Sequence, residues 1–335
     1  MSERILLRLP NWLGDALLAR PLLHAVRAAR PDAEIVAVAP SRLLELLAPE
    51  RTFDRAEPWP EAAPARAALA AQLRRRRPHA ALVLPPSFSS AAFAWATGAR
   101  VRVGYAHDLR SPLLTHALRR RPRGERHLSR EFLDLGGVLG AAPVPLPALA
   151  IAAEALDGAH QRLANHGLGE GDRYVLLAPR SVWGPAREWP RERFVAAGAA
   201  LAASGLRVLV CGVAAERAPC AAIAAAIGAG AASLAGETDL PQLAALCRGA
   251  ALVLGNDSGI AHLAAATCAP TVQIYGSASS AWTHALGPRV AVIHRAPVCS
   301  PCWQRTCRIG YACLGAVEVA HVLRTCGALA RVRAA

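Results

Sequence analysis

Acidic residues are scarce in this chain of 335 residues: 24 stand against 38 basic ones, for a formal net charge of +14. An imbalance of that size calls for an anionic partner or surface. Aromatic residues are also few, at 5%, and no helix-turn-helix, zinc-finger spacing or aromatic RNA-binding signature is present, which counts against nucleic acid as that partner. No secretory segment is expected, because Pro10, Asn11 and Asp15 interrupt the first apolar run too early. The most apolar windows, 196–215 and 220–236, are broken by Ser, Arg or Pro and do not make membrane spans. Nine cysteines without a secretion signal are then expected to be reduced thiols in a cytoplasm. There is no Asp-x-Asp pair to hold a diphosphate through a divalent ion. No G-x-G-x-x-G follows a strand either, since the glycines of 136–140 lie at the end of a helical stretch.

What is present is apolar sequence in short runs, 53% of the chain overall. A chain this long exceeds the usual single domain, so two are expected, at 1–165 and 166–335. Apolar runs at 5–9, 34–39, 80–84 and 101–105 alternate with stretches of helical spacing, and a second series begins with runs at 174–178, 207–211, 251–254 and 271–275. Strands alternating with helices predict parallel sheets, hence an α/β protein of two Rossmann-like domains in series.

The stretch 251–276, ALVLGNDSGIAHLAAATCAPTVQIYG, carries the clearest chemical signal. An apolar strand runs into the turn Gly255-Asn256-Asp257-Ser258-Gly259 and then a helix, so Asp257 and Ser258 fall at the carboxyl end of a parallel strand. The first N–H groups of that helix are unpaired and lie at its positive end, which suits a diphosphate, and His262 stands one turn further on. On spacing alone, an ordinary helix cap is an equally good account of Asp257 and Ser258. The first strand has a similar sequel: Pro10-Asn11-Trp12-Leu13-Gly14-Asp15 precedes a helix at 16–29, and a carboxylate at a helix N-terminus is held ionised, as a general base should be. A capping role fits Asp15 as well.

Two further features stand out. The segment 107–126 is rich in Arg and lacks periodicity, which predicts a mobile, exposed loop near an anionic ligand. Cys299, Cys302, Cys307 and Cys313 crowd one stretch, with a metal-knuckle spacing at Cys299-Ser300-Pro301-Cys302.

Taken in order, LRLPNWLGDALLARPLLHAVRAARPDAEI, LPPSFSSAAFAWATGARVRVGY, REWPRERF, GNDSGIAHLAAATCAPTVQIYGS and CSPCWQRTC resemble the ADP-heptose:lipopolysaccharide heptosyltransferases of glycosyltransferase family 9, in particular the heptosyltransferase II branch. The resemblance implies a GT-B fold, two domains facing across a cleft, and inverting transfer of L-glycero-D-manno-heptose from ADP-heptose to the inner core of lipopolysaccharide. No metal and no other cofactor are implied. It puts the catalytic base on Asp15 and a cation for the leaving diphosphate on Arg187. Donor binding falls on Asp257, Ser258, Gly259 and His262, with Glu216 at the ribose, and the final helix returns to the first domain. Where the family often has Lys and NDSGPMH, this chain has Arg187 and NDSGIAH; Arg keeps the charge and can grip a phosphate bidentately. The presumed acceptor is a phosphorylated glycolipid, so Arg110 and Arg120 in the basic segment become candidate acceptor contacts, with peripheral attachment to the inner face of the cytoplasmic membrane. Other readings are a related transferase of another sugar or acceptor, a non-catalytic nucleotide-sugar-binding or epimerising protein, and a nucleic-acid binder using the Arg clusters.

Overall fold

The computed structural model of the chain describes residues 3–331. Two compact units divide between Ala150 and Ile151. The first is built on β1 (Arg4–Arg8), β2 (Glu34–Ala39), β3 (Arg55–Pro58), β4 (Ala80–Val83), β5 (Val101–Tyr105) and β6 (His116–Leu118), all parallel in the order β3-β2-β1-β4-β5-β6. The second repeats the plan with β7 (Tyr174–Ala178), β8 (Arg207–Val210), β9 (Ala231–Ser233), β10 (Leu252–Asn256), β11 (Thr271–Tyr275) and β12 (Val290–His294), in the order β12-β11-β10-β7-β8-β9. This is the doubly wound α/β arrangement expected of each half of a GT-B protein. The strand order reverses between β1 and β4 and between β7 and β10. At such switch points a crevice opens at the carboxyl ends of the strands.

The central strands form because they are apolar on both faces and helices cover both faces. In the first unit Leu6, Val36, Val38, Ala81 and Val83 pack with Leu69, Leu73 and Phe93; in the second Val175, Leu177, Val208, Leu254, Val272 and Ile274 pack with Phe194 and Ile223. Each such Leu, Ile, Val or Phe side chain contributes about 1.5–3 kcal/mol by leaving water. The outer strands β3, β6 and β9 are three or four residues long and largely polar or Ala, so periodicity does not reveal them.

Several boundaries differ from the sequence expectations. The helix expected at 16–29 is two helices, Leu13–Leu18 and Arg20–Ala29, because Pro21 is tolerated only in a first turn and a new helix must begin there. Asp15 consequently lies in the first turn of a helix instead of the loop before it. The segment 107–126 is not featureless: it carries a 3₁₀ turn, Ser111–Leu113, and strand β6. The unit boundary precedes the helix Ala153–Asn165, which packs on Leu240–Gly249 and so belongs with the second unit, not the first. The final helix, Val319–Arg331, lies against Arg191–Ala203, β10 and β11 and buries Val322 and Cys326 in the second unit's core.

Candidate active site

The switch point of the second unit is lined by the loop after β7 and the turn after β10. Asn256, fully buried at the end of β10, ties them together: its side chain accepts from the Trp189 N–H (2.9 Å) and donates to the Pro179 carbonyl (2.8 Å). The loop is braced within itself by Arg180 and Ser181 N–H, both on the Glu188 carboxylate (2.6 and 2.9 Å). It is also pressed against the cysteine-rich segment. Ala186 N–H donates to the Arg305 carbonyl (3.0 Å), and a Cβ at Gly184, whose φ is 138°, would stand 2.7 Å from that same oxygen. Only glycine fits there.

So anchored, the loop carries Arg187 to Asp257, with Nη1 3.0 Å from Oδ2. Asp257 is 3% exposed. Burial raises its pKa, and the Arg187 charge and the Tyr275 hydroxyl offset only part of that. The Arg187 guanidinium also lies over the Trp183 ring, 4.7 Å from its centre, and Arg305 approaches the same ring at 5.8 Å. Cation–ring contacts of this kind fix a guanidinium without neutralising it.

Ser258 occupies the N-cap position of the helix Gly259–Ala266 with extended backbone, but its side chain makes no capping bond, and its buried hydroxyl has no hydrogen-bond partner among the described residues. A cap residue that does not cap leaves the first-turn N–H groups of Ser258, Gly259 and Ile260 for something else, and the dipole selects an anion. His262 stands on the buried side of this helix, 5% exposed. Glu216 is half-buried in the turn after β8, beside β7 in the sheet, and accepts from the Val213 N–H (2.9 Å). The structure therefore brings Arg187, Asp257, Ser258, Gly259 and His262 to one edge of one sheet, with Glu216 on the neighbouring strand end.

At the corresponding edge of the first unit, Asp15 is half-buried in the first turn after β1. The Ser87 side chain caps the helix Phe88–Ala96 after β4, across the switch point.

The basic segment requires correction. Arg110 is fully buried: it donates to the Tyr105 carbonyl (2.8 Å) and to the carbonyls of Pro85 and Ser87, and burial pushes its pKa down to about 10. It ties the ends of β4 and β5 together and is not an exposed loop cation. Arg120 is mostly covered and faces the buried Glu131 carboxylate (3.4 Å). Spacing contains no hint of this, because the carbonyls that hold Arg110 come from two separate strand ends.

The four clustered cysteines are free thiols; Cys307 Sγ accepts N–H groups from Ile309 (3.4 Å) and Tyr311 (3.2 Å). Among the described residues no group of three or more His, Cys, Asp or Glu side chains is placed to hold a metal ion. Asn256, Trp183 and Tyr275 were not foreseen as site residues. Asn256 could have been, since a fully polar amide ending an apolar strand needs partners.

Comparison with known proteins follows the same lines. The chain is 29% identical to lipopolysaccharide heptosyltransferase 2 of Escherichia coli K12 over 305 residues, 87% of each chain, and equally similar to its counterpart from Salmonella typhimurium. It superposes on the solved ADP-heptose LPS heptosyltransferase II of Escherichia coli with a TM-score of 0.83 at 27% identity, over 98% of both chains. A family 9 glycosyltransferase from Veillonella parvula shares the fold at a TM-score of 0.84 and 20% identity, over 98% of this chain and 97% of that one. The model of glycosyltransferase family 9 (heptosyltransferase) matches residues 66–312, most of the length, and the chain belongs to that family.

Proposed function

We propose that this protein is an inverting, metal-independent heptosyltransferase that moves L-glycero-D-manno-heptose from ADP-heptose to the inner core of lipopolysaccharide, adding the second heptose. The observation that carries the donor half is the uncapped helix end at Ser258 beside the Arg187 guanidinium. A diphosphate there meets backbone N–H donors and a cation already fixed by Asp257 and Trp183, so charge developing on the departing ADP is stabilised without reorganisation. In this reading Glu216 accepts hydrogen bonds from the ribose hydroxyls, and His262 approaches the same ligand from the helix.

In this reading the first unit binds the acceptor, and Asp15 takes the proton of the attacking hydroxyl. One base and one direct displacement invert the anomeric configuration; a retaining double displacement would instead need a protein nucleophile to form a covalent glycosyl intermediate, a role this reading assigns to no residue. The phosphorylated acceptor is a lipid, so the enzyme works peripherally at the inner face of the cytoplasmic membrane; no helix among the described residues is long and apolar enough to cross it.

The test is to mix the purified protein with ADP-heptose and core lipopolysaccharides lacking all heptose, or only the second one, and to follow ADP release and product mass together. ADP release matched by the gain of one heptose, on the acceptor that already carries the first, is the expected result. Gain on the heptose-free core, or hydrolysis without transfer, would overturn the assignment.

A further inference from the structure

The carboxyl edge of the first sheet holds a cluster of positive charge that nothing above employs. Arg8, the last residue of β1, is 3% exposed. A buried charge is ordinarily paired with one of opposite sign. Its neighbours are instead the carbonyls of Leu9 and Val38 and the Asn11 side-chain oxygen (2.6 Å), and its Nε has no hydrogen-bond partner among the described residues. The guanidinium lies on the Trp59 ring, 3.8 Å from the centre. Arg66, in the first turns of the helix Ala63–Arg75, approaches the same ring at 5.1 Å and is held by the carbonyls of Pro60 (2.9 Å) and Glu61. Arg42 reaches the Asn11 carbonyl from another side (3.4 Å). Among the described residues no carboxylate lies within salt-bridge distance of Arg8, Arg42 or Arg66. Burial, and then the Arg66 charge, push the Arg8 pKa down to about 9, so the two cations repel.

Two guanidiniums held on one indole, braced by neutral groups and lacking a counter-charge, are an arrangement that an oxyanion would complete. Arginine supplies paired donors matched to phosphate geometry. The site lies where the loops after β1, β2 and β3 meet, and its Asn11 is four residues before Asp15. We propose that Arg8 and Arg66, with Asn11 and Trp59, form an oxyanion-binding site that takes a phosphate monoester carried by the acceptor. The acceptor part rests on the function proposed above; the oxyanion part does not.

Trp59 is the built-in reporter. With saturating ADP filling the diphosphate site of the second unit, inorganic phosphate titrated against chloride at equal ionic strength should change tryptophan fluorescence saturably. The change should vanish in Trp59→Phe. Phosphate should bind about tenfold more weakly in Arg66→Gln, which alters a half-exposed side chain and leaves buried Arg8 in place. Arg75→Gln, at the other end of the same helix, should behave as the parent. In transfer assays Arg66→Gln should raise KM about tenfold for the phosphorylated acceptor and leave KM unchanged for the same acceptor treated with phosphatase, with kcat unaffected in both. Parental phosphate binding by Arg66→Gln would overturn the site. A KM change equal on the two acceptors would overturn the acceptor assignment even where phosphate binds, and the phosphate arm decides about the site even if no transfer is seen.

Discussion

The two sheet edges use one device and balance it differently. Each places two arginines on a tryptophan at the carboxyl ends of a parallel sheet of the same strand order: Arg8 and Arg66 on Trp59, Arg187 and Arg305 on Trp183. In the second unit the inner arginine has a carboxylate, Asp257, at 3.0 Å. In the first its hydrogen-bond partners among the described residues are carbonyls and an amide. The difference shows that fold position alone does not set a site's charge. A guanidinium with its own counter-ion is held in place before any ligand arrives, whereas one without a counter-ion is left for an anionic ligand to complete.

The largest expected effect separates the two edges by role. Asp15→Asn removes the proposed proton acceptor from the first edge and should lower turnover about 10²- to 10⁴-fold while ADP binding, which we propose for the second edge, stays as it was. Rapid-quench turnover and calorimetric ADP titration on the same preparation check both halves. Turnover within a few-fold of the parent would remove Asp15 from the mechanism, and weakened ADP binding would break the division of labour.

A stability measurement contrasts Arg8 with another buried arginine of its own unit. Arg20 is buried against the Glu50 carboxylate, in the neutralised arrangement that Arg8 lacks. Burial pushes the Glu50 pKa up, but hydrogen bonds from His24 and Arg20 and their charges outweigh it, and the net shift is downward. A carboxylate whose folded pKa is depressed contributes stability above its unfolded pKa, about 4.3, and that contribution is lost as pH falls through the folded value. Arg20→Met leaves Glu50 buried without its partner and should cost about 3–5 kcal/mol at neutral pH, read from urea midpoints. In Glu50→Gln the acid-side loss of stability should shrink. An unchanged acid profile would show that the pair is not what couples this unit to pH.

Arg187→Gln tests the prepared state of the second edge. It removes the cation proposed to meet the developing phosphate charge and leaves Asp257 buried without its partner, so kcat/KM should fall about 10²-fold and ADP should bind more weakly. Because the two side chains act as a unit, adding Asp257→Asn should cost less in the Arg187→Gln background than in the parent. Additive losses would mean that the salt bridge has no part in holding the cation.

Much of this contrast was hidden in the sequence, for physical reasons. Central strands such as Ile5 to Leu7 and Leu252 to Leu254 were legible because burial on both faces demands unbroken apolar runs. Strand β6 was not, since an edge of three residues can be polar and still pair. Asp15, Asp257 and Ser258 were legible as positions because a parallel strand followed by a helix puts its connecting loop at the ligand edge. Arg8 and Arg110 were misread or passed over for a common cause. An arginine beside an apolar strand or in a charged run looks solvated, and only backbone carbonyls from distant loops make its burial tolerable. The Trp183–Arg305 contact joins residues far apart in sequence, so spacing contains no trace of it.

The smallest expected effect is none at all. If the donor's diphosphate is met by Arg187 and the N–H groups at Ser258, Gly259 and Ile260, then chelation by EDTA should leave the transfer rate unchanged, because the charges that a divalent ion would balance are balanced by the chain. The cysteine segment is where this could go wrong, since Arg305 and Gln304 lean on the Arg187 loop through Trp183. A structural ion bound among Cys299, Cys302, Cys307 and Cys313 would, once stripped, loosen that loop and mimic a catalytic requirement. Circular dichroism with elemental analysis distinguishes the two, because loss of a structural ion removes both metal and ordered structure. Activity that falls on chelation with the fold intact, and returns with magnesium or manganese alone, would mean that the cation at the second edge is not sufficient for the leaving group.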